Sequence, residues 1–358
     1  MSNTLGERYR VQVFGQSHSP MIGAVIEGIP AGVAPDMDFI SAFMARRAPG
    51  GALSTARKEA DAPQIVSGLN DRGATCGAPL CVLIHNTDAR SRDYDRLRDV
   101  PRPGHADYTA AVKFGGHNDI RGGGQFSGRL TAPLCFAGAL AMQLLKEKGI
   151  AIRARVHSVA GIGDAPVDLA HPPMDGLCPG PLPCVDPEAA ARMAEAIEAA
   201  RADGDSVGGV VECWATGLPA GLGEPMFDGV ENRLAAALFG IPAVRGVEFG
   251  LGFAAAGMKG SAHNDPFRVA SGRIVTAGNN HGGALGGITS GMPLVVRAAF
   301  KPTPSIARQQ PSVSLSRCED APLVIQGRHD PCIVSRAVPV VEAVVACAVL
   351  DMILSDNY

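Results

Sequence analysis

A pair of recurring segments constrains the fold of this chain more than any other feature. Gly28-Ile29-Pro30-Ala31-Gly32 follows the strand-like run Ala24-Val25-Ile26, and Gly217-Leu218-Pro219-Ala220-Gly221 follows another over 209–214. Further on, Arg121 and Arg129 precede Pro133 and a helical run, while Arg328 and Arg336, at the same mutual spacing, precede Pro339 and a second one. Two elements recurring in the same order predict two halves of similar topology packed about a pseudo-two-fold axis. Chance recurrence is the competing explanation in a chain with 44 glycines and 27 prolines, and the shared order argues against it. The expected organisation is a single domain over 1–358. Its halves, at roughly 1–155 and 205–358, are joined by a Pro-rich loop and a helix.

Charge and cysteine usage remove several function classes. With 32 Lys and Arg against 35 Asp and Glu, the net charge of -3 provides no bulk basic field for nucleic acid. Any anion site is therefore local. Nine cysteines, an odd number with no Cys-x-x-Cys pair, fit reduced thiols better than a disulfide frame, and no metal site is expected. Residues 1–12 carry Glu7, Arg8 and Arg10 without an apolar stretch, unlike a secretory signal, so a cytoplasmic location is expected. The longest apolar run, 337–354, approaches membrane-span length but contains Glu342 and Asp351, with Pro339 near its start. It reads as a buried helix and not as a membrane span.

Helices are predicted over 132–148, 188–202 and 38–47. The second starts behind Asp186-Pro187, a cap followed by proline at the first helical position. Strands are predicted over 24–27, 80–85, 207–215, 244–249 and 292–300. This alternation indicates mixed α/β or α+β architecture. Residues 161–187 are Pro-rich and aperiodic, a surface loop.

Five polar, Gly-flanked segments interrupt the apolar pattern. Gly15-Gln16-Ser17-His18-Ser19 presents a histidine, the side chain best suited to exchange a proton near neutral pH. Arg102-Pro103-Gly104-His105-Ala106-Asp107 pins another beside a carboxylate able to fix its tautomer. Either one alone would be an ordinary loop histidine. Arg121-Gly122-Gly123-Gly124-Gln125-Phe126-Ser127-Gly128-Arg129 runs into a helix and has the makings of an anion cradle, although it is neither a Walker loop nor a Rossmann fingerprint. Asn279–Gly287 is a second Gly-rich loop, followed by a strand and Lys301-Pro302-Thr303-Pro304-Ser305, where one lysine and two hydroxyls can hold a phosphate monoester. Last comes Gly327-Arg328-His329-Asp330, leading to Arg336; a helix-capping ion pair is the bland account of Asp330. Together these residues indicate a phosphorylated, carboxylated small ligand with proton transfer nearby. They leave open phosphate elimination, phosphoryl transfer and flavin- or pyridoxal-dependent chemistry.

At these segments the sequence resembles the chorismate synthase family. The resemblance spans nearly the whole chain: the Gly15–Ser19 turn, Arg46-Arg47, Asn86-Thr87-Asp88, Pro103–Asp107, the triple-glycine segment, Gly221–Pro225, Lys301-Pro302-Thr303 and Gly327–Glu342. It implies an α+β fold, a β-α-β sandwich, assembled as a homotetramer. It also implies conversion of 5-enolpyruvylshikimate 3-phosphate to chorismate and phosphate by trans-1,4-elimination with reduced FMN. The resemblance gives His18 protonation near the departing phosphate, His105 stabilisation of the reduced flavin's charge, and Asp330 a part in relaying the C6 proton. Arg47, Arg129, Arg336 and Ser17 become substrate ligands. Gln125, Phe126, Ser127, Ala243, Gly286, Lys301, Thr303, Pro304, Ser305 and Arg328 become cofactor contacts. Gln16, Ser19, Gln125, Phe126 and Leu130 depart from the family motifs, removing a cation and two polar groups near the flavin. Of these, Gln16, Gln125 and Leu130 favour a second reading, a non-catalytic flavin- or phospholigand-binding paralogue. A flavin oxidoreductase is the third reading, but no nicotinamide fingerprint is present, so NADPH-derived electrons would come through an external flavin reductase.

Overall fold

The computed structural model describes residues 3–49, 53, 61–87, 96–325 and 329–356. The N-terminal part supplies β1 (Thr4–Leu5), β2 (Arg10–Gly15), β3 (Met21–Glu27), β4 (Pro63–Ser67) and β5 (Leu80–His85), in spatial order β1-β2-β3-β5-β4. Helix α1 (Met37–Ala45) connects β3 to β4, and α2 (Asp107–Lys113) and α3 (Thr131–Glu147) follow β5. Then come β6 (Ala151–Val159), β7 (Ile162–Gly163), α4 (Pro187–Ala202), β8 (Gly209–Thr216), α5 (Val230–Phe239), β9 (Val244–Phe249) and the single-turn α6 (Gly260–His263). Two hairpins, β10 (Phe267–Ala270) with β11 (Arg273–Thr276) and β12 (Ala284–Leu285) with β13 (Ile288–Thr289), lead to β14 (Leu294–Phe300). A third hairpin, β15 (Gln310–Ser314) with β16 (Glu319–Leu323), precedes the closing helix α7 (Val334–Ser355). The second large sheet has the order β7-β6-β8-β14-β9.

The two sheets correspond strand for strand: β1 with β7, β2 with β6, β3 with β8, β5 with β14 and β4 with β9. Each Gly-x-Pro-Ala-Gly turn leaves the central strand of its sheet and leads to the equivalent helix, α1 or α5. Helices α3 and α7 pack on each other, α3 against the first sheet and α7 against the second. The architecture is the expected α+β sandwich. Strand β6 belongs to the second sheet, so the elements of the first unit end with α3 at Glu147, short of residue 155.

The middle layer explains its own composition. A Cβ on Gly138 of α3 would collide with Ala343 of α7, so glycine sets how closely these helices approach. Helix α7 is long and apolar enough to cross a membrane, yet 94% of its most apolar window is buried inside the molecule. Its two carboxylates are tied down, as buried charges must be. Glu342 accepts from both terminal nitrogens of Arg46 (2.5 and 3.1 Å) and from the Ala154 amide (2.8 Å). Asp351 Oδ1 accepts the amides of Glu7, Arg8 and Tyr9 at 2.6–2.8 Å, clamping the N-terminal segment to the helix. Pro339 lies inside α7, not ahead of it.

All five predicted strands and all four predicted helices, the one over 337–354 included, form with shifted ends. Strands β2 and β6 and helix α5 were not predicted. In β6 the charged residues Arg153 and Arg155 hide the strand pattern, because Arg155 is buried between Asp164 (2.7 Å) and Glu212 (3.0 Å). Residues 161–187 are irregular apart from β7 and the first residue of α4, and Asp164 anchors the segment by accepting the Val185 and Asp186 amides. All nine cysteines are free thiols.

Candidate active site

A cavity of about 740 Å³ opens beside the N-terminal ends of α3 and α7, within the range of small-ligand sites. The triple-glycine segment forms part of its wall. Gly122, Gly123 and Gly124 have φ of 60°, 88° and 55°, a left-handed stretch that residues with a Cβ resist. A Cβ on Gly122 would lie 2.6 Å from Ser17 Oγ and 2.8 Å from His18 Nε2; one on Gly123 would lie 3.0 Å from His105 Nε2. The glycines thus let one backbone strand run between two histidines far apart in sequence. The Ser17 amide donates to the Gly124 carbonyl (3.1 Å), fixing the first histidine turn to this wall.

His105 is oriented by Asp107, whose Oδ1 lies 2.6 Å from Nδ1. Asp107 also accepts from Arg102 Nε and Nη2, each at 2.7 Å, and from the Arg102 amide at 3.0 Å. Burial opposes its ionisation, but the bonds from Arg102 and His105 prevail and hold its carboxyl well below the usual range. An ionised carboxylate only accepts, so Nδ1 carries the proton and Nε2 is presented to Gly123. Arg102 Nη1 also donates to Ser305 Oγ (3.2 Å).

Another part of the lining is cationic. Asp61, 4% exposed, joins two arginines: Oδ2 accepts from Arg47 Nε (3.1 Å) and Nη2, and Oδ1 accepts from Arg129 Nη1. Arg129 further donates to Asn86 Oδ1 (2.8 Å) and the His85 carbonyl (3.1 Å). Arg336, on the first turn of α7, donates to the Arg47 carbonyl (2.9 Å) and to Asp330 Oδ2 (2.6 Å). Asp330 therefore holds a cavity arginine and is not the cap of α7, which has no side-chain cap. Burial raises the Asp61 pKa, but the charges and hydrogen bonds of Arg47 and Arg129 outweigh it and the net shift is downward.

These depressed carboxylates give a pH prediction. A group with a lowered folded pKa contributes stability that is present above its unfolded value, about 3.9 for Asp. That contribution is lost as pH falls through the lower folded value. Thermal unfolding scans of the wild type should show the melting temperature falling steeply on acidification below about pH 4. Asp107→Asn should start lower at pH 7 and fall less; parallel pH dependences would refute it.

Of the predicted site residues, His105, Asp330, Arg47, Arg129, Arg336, Gln125, Phe126, Ser127, Ala243, Lys301, Thr303, Pro304 and Ser305 line the cavity. Ser17 and His18 are buried directly behind Gly122. Gly286 lies apart, exposed at the β12–β13 turn and not among the lining residues. Gly282 and Gly283 of the same loop pack against Gly250, Pro293 and Leu294 backbone, which is why they lack side chains. Arg328 is outside the described residues, as are Asp88 and Gly327. Arg121 pairs with Asp119 (2.8 Å) away from the cavity, so only Arg129 of that pair reaches it. Asp61 and Arg245 were not singled out. Asp61 follows a polar stretch without periodicity, and Arg245 sits in an ordinary strand pattern, so neither carried a local signal.

A two-sheet sandwich whose cavity gathers arginines, a lysine and two histidines defines an enzyme architecture for anionic ligands. The chorismate synthase family model matches residues 9–354. A chorismate synthase from Thermococcus gammatolerans is 50% identical over 350 residues, covering 98% of this chain and 97% of the relative. One from Korarchaeum cryptofilum is 46% identical, covering 98% and 96%. A crystal structure of chorismate synthase superposes with a TM-score of 0.74 at 27% identity, covering 98% of this chain and 93% of the other. The chain belongs to the chorismate synthase family.

Proposed function

We propose that this chain is the carbon–oxygen lyase that converts 5-enolpyruvylshikimate 3-phosphate to chorismate and phosphate by trans-1,4-elimination, the last step of the shikimate pathway. The observation that carries this reading is the placement of His18 and His105 on two faces of the Gly122–Gly123 backbone, beside a wall of arginines. Family membership supports the reaction.

Arg47, Arg129 and Arg336 bind the substrate's anionic groups, and Asp61 keeps the first two side by side. Ser17 assists at the same wall. His18 gives a proton to the departing phosphate, which leaves faster when a proton donor and cations surround it. Asp330, oriented by Arg336, helps move the C6 proton. His105 stabilises negative charge on the cofactor ring. Reduced FMN, when bound, supplies the electron-rich ring that the elimination needs without net oxidation. The residues present fit such a cofactor: Thr303 Oγ1 is buried with no hydrogen-bond partner among the described residues, beside Lys301, Ser305 and Ala243. Gln125, Phe126, Ser127 and Pro304 complete that side, with Gly286 and Arg328 as further contacts.

Reduction of the flavin by a separate reductase and a cytoplasmic location complete the reading, with one domain spanning the chain. The chain assembles as a homotetramer in this reading; self-association is supported by the β10–β11 hairpin, where Phe267, Val269 and Ile274 share one face at 68%, 76% and 73% exposure and Val269 stands opposite Ile274. Light scattering reads that state directly.

The test is an anaerobic assay with reduced FMN and 5-enolpyruvylshikimate 3-phosphate, following chorismate absorbance. Turnover is expected, without NADPH consumption once the flavin is reduced. Flavin binding with no turnover at saturating cofactor would instead make the chain a non-catalytic binder, and hydride consumption coupled to substrate would make it an oxidoreductase.

A further inference from the structure

We propose that Asn86 is a positioning residue for the elimination: its side-chain amide ties the turn that carries His18 to Arg129, so that the proton donor and a ligand of the substrate's anionic groups keep one spacing. The inference rests on the lyase reading above and gives a role to a residue that no step of that reading uses.

The first observation is strand register. Strands β3 and β5 pair antiparallel with Met21, the first residue of one, opposite His85, the last of the other. Asn86, the next residue, therefore comes beside the 16–20 connection, and its amide donates to the Pro20 carbonyl (3.1 Å). That connection is a closed turn. The Ser19 amide donates to the Gln16 carbonyl (3.1 Å), and the Gln16 amide donates to Ser19 Oγ (3.0 Å).

The second observation is that the Asn86 side chain uses both of its ends. Nδ2 donates to the Ser19 carbonyl (2.7 Å) and the Gln16 carbonyl (3.2 Å), which flank Ser17-His18 in the chain. Oδ1 accepts from Arg129 Nε (2.8 Å). Only this orientation satisfies all three contacts, because the flipped amide would set NH2 against a guanidinium and an oxygen against two carbonyls. The His18 turn is thus held at the triple-glycine wall by the Gly124 carbonyl and at the arginine side by Asn86. From Arg129 the hydrogen bonds continue through Asp61 to Arg47, whose carbonyl accepts from Arg336, the partner of Asp330. Asn86 is the link that joins His18 to this chain. A proton donor must meet its acceptor at hydrogen-bond distance, and a misplacement of about 1 Å can cost about 10²-fold in rate.

Aspartate separates the two ends of the side chain. An ionised carboxylate still accepts from Arg129 but cannot donate to the two carbonyls, so Asn86→Asp frees the turn and keeps the arginine, whereas Asn86→Ala frees both. The experiment is the anaerobic chorismate assay on the full-length protein, with each substitution made in wild type and in His18→Ala. Asn86→Asp should lower kcat by about 10- to 100-fold and leave KM for 5-enolpyruvylshikimate 3-phosphate within about threefold of wild type. Asn86→Ala should in addition raise KM by roughly tenfold, the effect of a lost hydrogen bond to a charged group. In the His18→Ala background Asn86→Asp should cost less than about twofold, because residues that act through one another are not additive. FMN affinity, read by flavin fluorescence, should stay near that of wild type in both variants. An equal loss of kcat in both backgrounds would overturn the positioning role and leave the lyase reading standing, and loss of FMN binding in both variants would make Asn86 an element of the fold only. Equal KM values in the two variants would overturn the link to Arg129. If the wild type forms no chorismate, the lyase reading fails and the role fails with it.

Discussion

His18→Ala should lower turnover by about 10²–10⁴-fold, the usual contribution of a positioned proton donor. The imidazole sits directly behind Gly122, where only the missing Cβ lets it approach the cavity wall. It does not line the flavin side defined by Lys301 and Thr303, so FMN affinity in the variant should stay within about twofold of wild type. The measurement is the anaerobic chorismate assay paired with the fluorescence titration. Activity within threefold of wild type would remove His18 from the reaction, and a parallel loss of FMN binding would indicate a collapsed wall.

The second large effect belongs to Asp61. Asp61→Ala would remove the buried carboxylate that Arg47 and Arg129, 2% and 7% exposed, share. Removing one partner from a buried ionic cluster costs about 3–5 kcal/mol, because the remaining charge keeps its desolvation penalty and loses its compensation. Calorimetry should show a melting temperature lower by several degrees. Asp61→Asn should fall in the same direction, since the amide keeps the shape but not the charge. Unchanged melting in both variants would mean that the two arginines find other partners. In the folded fraction, the Michaelis constant for 5-enolpyruvylshikimate 3-phosphate should rise, because the two guanidinium groups no longer share a fixed spacing.

The legible part of the fold was the part written in local pattern. The Gly-x-Pro-Ala-Gly turns and the arginine spacing announced a repeated unit, and the two sheets share one strand order. The segment 337–354 read as a buried helix despite Glu342 and Asp351, and both carboxylates are satisfied from other elements. Strand β6 escaped notice because Arg153 and Arg155 look like solvent-facing residues until Glu212 and Asp164 are placed beside them. The Gly282–Gly287 loop shows the reverse case. A Gly-rich run beside phosphate-holding residues suggests a ligand loop, yet Gly282 and Gly283 are small because neighbouring backbone leaves no room for a side chain.

The same division holds for the site. The residue types, their turns and the family resemblance are properties of the sequence alone, and they brought His105, Asp330, Lys301 and the arginines into consideration. That Asp61 joins Arg47 to Arg129 and that Gly122 and Gly123 run between His18 and His105 are decisions of the tertiary structure. The physical reason is range: propensity and spacing act over a few residues, while burial and charge compensation depend on partners such as Asp61 and Arg129, 68 positions apart.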